Sequence, residues 1–521
     1  MGGLGLVGCR RARHGRGEPP SAEEAGRARV GRQTKVAEVA PAPLPTGLPL
    51  VGKEGLDADG YPLKWVDRAA LRSLLRAEHY AELTRYLEEL QTAFEADPKK
   101  EYWTADAAAA FESAEAELLP LLEAWVKATP QSFAPYLARG AYRVELGFTR
   151  RGARWANETA EGDLEAMHDT HKKAFADLEQ ALSMRPKTVA AYSLELALLS
   201  ASAQVREIRQ VAAKAAEVCP SCLLFRVRVM HALEPRWGGS YDAMAEFARS
   251  APVAQNPRLR VLPAYLDIDR ASLLRLDDKL DEALAASERA CALGEYWKSR
   301  LDRALSFEAK ADLGQARLDV ERADRLRPGE PEVLFSLARI AHAQHRWEAA
   351  GQALITALRL DPTDSHGRHL LPYVIEGLVY DSAQHYKAGR KEDALRTIEL
   401  AIGLDPKNRQ AVGQKNYMLA GPTIATGADD LGKLQAAATA APNDFRAHQA
   451  LDYALAKQRR FADVIQMWTG YLAANPQDGR AHLERGGAFF QLGRRADALA
   501  DAKAACELGV SEACARAKML Q

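Results

Sequence analysis

Histidine and cysteine pairs are the residues of this chain whose types and spacing come nearest to chemistry. His168/His171, His342/His345 and His366/His369 are each three residues apart. On a helix that spacing sets both rings on one face, where a metal ion could bridge them. A stable zinc site usually takes three or four protein ligands. Only the third pair has further donors nearby, in Asp361, Asp364 and His385. His366, His369 and His385 are therefore the metal candidates. Their ligand set is incomplete, so exposed polar histidines are the simpler expectation and no cofactor is assigned. Cys219-Pro-Ser-Cys222 has redox spacing. Such a dithiol works at the start of a helix after a strand, where the helix end lowers the thiol pKa. Here Pro220 marks a helix end and no strand is expected nearby. A structural disulfide is the alternative in an exported protein.

The other motifs fail on context. Gly3-Leu-Gly5-Leu-Val-Gly8 has dinucleotide-fingerprint spacing, but no strand can precede it. Gly47 to Gly52-Lys53 has phosphate-loop spacing, yet Glu54 stands where a hydroxyl should meet magnesium. Leu6-Val7-Gly8-Cys9 resembles the lipidation box of bacterial lipoproteins, although a signal peptide needs a charged start and a longer apolar core. Cys9 marks a lipid anchor if translation starts upstream of Met1; otherwise the tetrapeptide is a chance match in a cytoplasmic protein. Arg151, Arg154 and Trp155 in one segment, and Arg236 and Trp237 in another, pair Arg with Trp beside Gly. Such pairs can make a recognition surface through stacking and cation–π contact. The competing reading is structural, with Trp plugging an irregular joint.

Residues of these kinds must be positioned by something, and the prolines show what. Pro186 to Pro220, Pro328 to Pro362 and Pro442 to Pro476 are each 34 residues apart, and Pro406 lies 36 before Pro442. A 34-residue period is that of the tetratricopeptide repeat, a pair of antiparallel helices. The last unit carries Gly486, Phe489, Gly493, Ala498 and Ala505 at consensus places; Ala304, Ala316, Ala323, Ala338, Ala350, Ala357, Ala394 and Ala401 do the same in earlier units. Small residues let two helices cross closely. The unit before Pro476 is weaker, with Asp452, Val464 and Tyr471 there, and Gly421-Pro422 should distort the unit before Pro442. Ten surplus residues, about Ser365 to Val374, read as an insert between units. Phe148 to Asp169 reads as an insertion within one.

The fold expected is all-α: a right-handed α-α superhelix, a tetratricopeptide solenoid with an N-terminal helical domain. Its parts are a linker or lipoprotein-like tether (1–63), a helical domain with interrupted repeats (64–263), the solenoid (264–510) and a C-terminal cap (511–521). Arg10 to Lys35 holds eight basic and three acidic residues, and prolines crowd 41–49. Over 521 residues, 70 basic and 70 acidic side chains give zero formal net charge. That argues against nucleic acid as a partner, which would call for a basic excess. No apolar run approaches the ~20 residues of a membrane span.

Leu71-Arg-Ser-Leu-Leu-Arg, Phe94-Glu-Ala-Asp97, Trp125-Val126 with Pro130 and Ser132, Arg151-Gly152 with Trp155, and Pro235-Arg-Trp-Gly-Gly-Ser-Tyr-Asp-Ala-Met244 together resemble a bacterial family, domain of unknown function 4034. The similarity runs from about 68 to 250. From about 264 onward the chain resembles generic tetratricopeptide repeats. The family implies no activity to carry over.

In such repeats the first helix lines the groove. That register selects Arg339 and His342, then Tyr386 and Lys387 with Glu376 and Val379, then Lys415, then Arg446, Tyr453 and Lys457, then Arg480 and Phe490. Basic residues with interleaved aromatics suit a protein or peptide segment bearing acidic groups. The expected function is a non-enzymatic scaffold that holds a partner in this groove, with no catalytic residue assigned. The alternative is an enzyme or a ligand- or metal-binding domain in 64–263 that uses the Arg/Trp inserts.

Overall fold

The computed structural model describes residues 42–152, 159–202, 204–420 and 428–520. Among them are 25 α-helices and one two-stranded sheet. The chain forms two compact units, one up to Lys415 and one from Asn416 to Gln521.

Two backbone devices recur along the helices. In six hairpins the second helix ends two residues before a proline. Arg185, Cys219, Arg327, Asp361, Asp405 and Asn475 precede those prolines, with φ from −131° to −145°. Proline drives the residue before it out of the helical region, so the helix must stop there. The turn between the two helices holds one left-handed residue. Gly389 and Gly493 fill that place at φ +79° and +73°; Glu78, Asp278, Ala311, His345 and Arg459 fill it at +57° to +61°. At the His345 turn the Arg346 amide donates to the Ala341 carbonyl at 2.9 Å, which satisfies the helix end. The alanines at the crossings, from Ala271 through Ala505, are buried completely or nearly so.

In the first unit, helices Arg68–Arg76 and Tyr80–Ala96 form a hairpin with the same turn, followed by Glu101–Ala109 and Leu118–Ala128. Seven hairpins follow: 134–151/161–184, 189–201/205–218, 224–232/241–249, 264–276/280–292, 297–309/313–326, 331–343/347–360 and 365–387/391–404. The surplus near Phe148 lengthens both helices of its hairpin, to 18 and 24 residues.

Two expectations need correction. Part of the stretch read as linker is a β-hairpin: β1 (Leu50–Leu56) pairs antiparallel with β2 (Pro62–Val66). Its turn is built by Asp57, whose carboxylate accepts from the amides of Asp59 (3.0 Å) and Tyr61 (2.9 Å), with Gly60 at φ +81°. Lys53 is thus mid-strand, and no helix follows it as a phosphate loop requires. The ten residues after Pro362 are not a separate insert either. They belong to one 23-residue helix, Ser365–Lys387, that runs through Pro372. Its start packs on the preceding hairpin, with Gly367 under Phe335 and Gly377 under Trp347. Its later turns meet helix Arg409–Ala420, whose Gln414 side-chain amide donates to the Val379 carbonyl at 3.1 Å. Val379, read into the groove, is buried.

The N-terminal helices clamp onto distant repeats of the same unit. The Glu101 carboxylate accepts from Tyr61 Oη (2.7 Å) and from the amides of Leu223 (3.1 Å) and Leu224 (2.7 Å), so it caps helix 224–232. Asp106 pairs with Arg68 (2.7 Å) and Arg327 (3.0 Å), and Arg68 also reaches Glu330 (3.4 Å). Helix 68–76 packs on helix 347–360.

The second unit carries helices 428–440, Phe445–Lys457, Phe461–Ala474, Gly479–Gln491, Arg495–Glu507 and Ser511–Leu520. Gly421-Pro422 lies outside the described residues. The weak repeat closes by other means. Trp468 is fully buried, and its indole N–H donates at 2.6 Å to Asp452, which stands at one of the small-residue places. A disulfide, Cys506–Cys514, ties the last helix to its neighbour.

Candidate partner-binding surfaces

The first helices of the second unit present Arg446, Gln449, Tyr453 and Lys457, then Arg480, Phe490 and Gln491, all exposed. Tyr453 and Phe490 are each 56% exposed, unusual for large rings. The side chains of Arg446, Lys457 and Arg480 have no hydrogen-bond or ion-pair partner among the described residues. Gln449 Nε2 donates to Glu484 at 3.2 Å and links the two helices across this face. An added Cβ at Gly487 would meet nothing within 4 Å, so the surface is open there. Burial pushes the Asp452 carboxyl up to about 6, with Glu484 adding to the rise and the Trp468 bond opposing it.

The first-unit groove residues are placed differently. Arg339 is paired with Glu308 (2.7 Å) and Lys415 with Glu399 (2.9 Å). Tyr386 is half-buried, and Lys387 is exposed near the end of the long helix. His342 stands edge-on to Trp347 (centroids 5.4 Å apart) and to Tyr373 (6.1 Å). Tyr373 escaped the sequence reading because the long helix shifts the repeat count by ten, and Trp347 because it opens a second helix, which the first-helix register passes over.

The histidine pairs do not assemble a metal-ligand set among the described residues. His171 is buried edge-on to Phe148 (4.8 Å), and burial lowers its pKa to about 4. His366 lies 3.8 Å from Asp364, His385 lies 3.7 Å from Asp381, and His369 stacks on Tyr373 (5.8 Å). Among the described residues no three His, Cys, Asp or Glu side chains are grouped so as to hold a metal ion.

The Arg/Trp segments serve turns where they are described. Arg236 is held by Asp269 and Glu234, Gly238 is left-handed at φ +86°, and Ser240 caps the next helix through the Ala243 amide (3.1 Å). Arg151 donates to the carbonyl of Gly152 at 3.3 Å. Arg154, Trp155 and Cys9 lie outside the described residues. Cys219 and Cys222 form a buried disulfide. The Cys291 thiol is pushed up to about 11 by burial and donates to the Ser299 carbonyl (3.3 Å). Among the described residues no helix is long and apolar enough to cross a membrane.

Residues 67–207 match the family described as Domain of unknown function (DUF4034). The Pro235–Met244 motif lies beyond that match. No curated protein shows a significant match to the chain. Several solved structures show distant similarity. The TPR domain of P58(IPK) is 15% identical, covering 67% of this chain and 93% of its own, with a TM-score of 0.23. The Cut9–Hcn1 hetero-tetramer of APC/C is 13% identical, covering 87% and 96%, at 0.23. PilW, a type IV pilus biogenesis factor, is 13% identical, covering 48% and 94%, at 0.21. The fold stands on this chain's own helix pairing.

Proposed function

We propose that this chain is a non-enzymatic protein-interaction scaffold, and that the first-helix face of its C-terminal repeats holds an acidic segment of a partner protein. In this reading the repeats from 264 to 510 do the capturing, while the region 64–263 braces the repeats it clamps. The observation that carries the reading is the pair of half-exposed rings, Tyr453 and Phe490, set among three cations without partners. Aromatic rings and arginines dominate binding energy where they become fully desolvated. Opposite charge across the contact would set the partner's sign and speed its capture.

The test uses the full chain and a fluorescent peptide rich in Glu and carrying aromatic residues. Binding should weaken steeply with salt. The R446E/K457E/R480E variant should bind at least about tenfold more weakly, equivalent to ~1.4 kcal/mol, and Y453A/F490A should lose affinity at every salt concentration. Equal affinity for a Lys-rich peptide of the same length, or an unchanged charge-reversal variant, would overturn the reading.

A further inference from the structure

Five rings run side by side across two hairpins of the first unit: His345, Trp347, His342, Tyr373 and His369. Successive centroids are 5.3, 5.4, 6.1 and 5.8 Å apart. His345, Tyr373 and His369 are exposed, while His342 and Trp347 are half-buried. Tyr380, two helical turns past Tyr373 on the same face, is 63% exposed. His366, one turn before His369, adds a fourth imidazole and is exposed. Four imidazoles gathered in one aromatic patch give this face a capacity to gain positive charge in acid that the rest of the described surface lacks.

Most carboxylates around the patch are already engaged. Glu308 is held by Arg339 (2.7 Å), and Glu321 by Arg317 (3.2 Å) and Arg346 (3.5 Å). Glu348 accepts from Thr397 and lies 3.7 Å from Arg396. Asp381 lies 3.7 Å from His385. That leaves Asp364, beside His366, and the exposed Glu376 to offset new positive charge. Those two carboxylates offset only part of the charge that a patch of imidazoles can gain.

We infer that this aromatic and imidazole face is a pH-gated docking surface for an acidic protein segment, weak near pH 7.5 and engaged near pH 5.5. Tyr373, Tyr380 and Trp347 supply the apolar contact at any pH; the imidazoliums supply the charge complementarity only in acid. The four do not charge together. Asp364 holds the His366 pKa above that of a free imidazole, whereas burial and then His345 hold His342 below it. His366 therefore charges before His342 as the pH falls.

The experiment measures a fluorescein-labelled Glu/Tyr peptide on the full chain at pH 7.5 and 5.5. Glutamate stays largely ionised at both, with an unperturbed pKa of about 4.3. Using the R446E/K457E/R480E background separates this surface from the C-terminal one. In that background affinity should rise at least about tenfold on acidification, by the same 1.4 kcal/mol rule. The rise should vanish in H342Q/H345Q/H366Q/H369Q, with far-ultraviolet circular dichroism showing that the variant is folded. Y373A should weaken the pH 5.5 complex without removing the pH dependence. Affinity independent of pH, or a rise that survives in the His→Gln variant, would overturn the inference.

Discussion

Glu195 shows how a single buried carboxylate ties this protein to pH. It lies on helix Val189–Ala201 and is nearly inaccessible to solvent. Burial, with the nearby Glu179 charge, pushes its pKa up to about 7. The folded state therefore holds this proton more tightly than the unfolded chain. The contribution is fully present below the unfolded value near 4.5, is lost as pH rises towards 7, and is flat above. Glu195→Gln should leave stability unchanged at pH 4 and raise it by about 3 kcal/mol at pH 8. Urea midpoints of both proteins across that range check it; a constant difference at every pH would show that burial is not the cause. At this scale the sequence was partly legible. The repeat count puts Arg446, Tyr453, Lys457, Arg480 and Phe490 at first-helix positions, and there they stand exposed. It cannot reveal that Arg339 and Lys415 are already paired, because Glu308 and Glu399 come from neighbouring helices.

At the scale of elements, the hairpin turn is where local conformation works against stability. A left-handed residue is needed between the two helices, and an L side chain there is strained by about 1–2 kcal/mol. Gly389 and Gly493 relieve that strain, whereas Ala311 at φ +61° does not. Ala311→Gly should stabilise the protein by about 0.5–1 kcal/mol, less than the full strain because glycine gains freedom in the unfolded chain. Thermal denaturation of the variant should show a small rise in Tm; a fall would mean that the turn tolerates alanine without strain. The helices themselves were readable because prolines and small residues act locally, each stopping a helix or permitting a crossing. The β-hairpin was missed although Asp59-Gly60 is a turn signal, because the proline-rich stretch before it dominated the reading. The long helix 365–387 was missed because the ten residues beyond a 34-residue period between Pro362 and Pro406 read as an insert; the helix instead continues through Pro372, which is exposed, and packing on both neighbours holds it together.

For the molecule, the clamp inside the first unit is the feature least visible in sequence. Asp106 and Arg327 are 221 residues apart, and nothing in their local patterns announces the pair. Burial alone would raise the Asp106 pKa, but the guanidiniums of Arg327 and Arg68 outweigh it and hold it below the usual value. Removing one partner of a buried ion pair strands the other charge. Asp106→Ala should therefore destabilise the unit by about 3–5 kcal/mol, seen as a lower Tm and faster proteolysis near helix Glu101–Ala109. In the parent, the clamp should weaken as pH falls through the depressed Asp106 value.

The claim on which the functional reading depends is that the first-helix face of the C-terminal repeats receives an acidic protein segment. Hydrogen–deuterium exchange of the full chain, with and without a saturating Glu- and aromatic-rich peptide at pH 7.5, tests it most directly. The account expects protection concentrated in helices Phe445–Lys457 and Gly479–Gln491. Protection confined to the second helices 461–474 and 495–507, or none anywhere in the second unit at saturation, would contradict it.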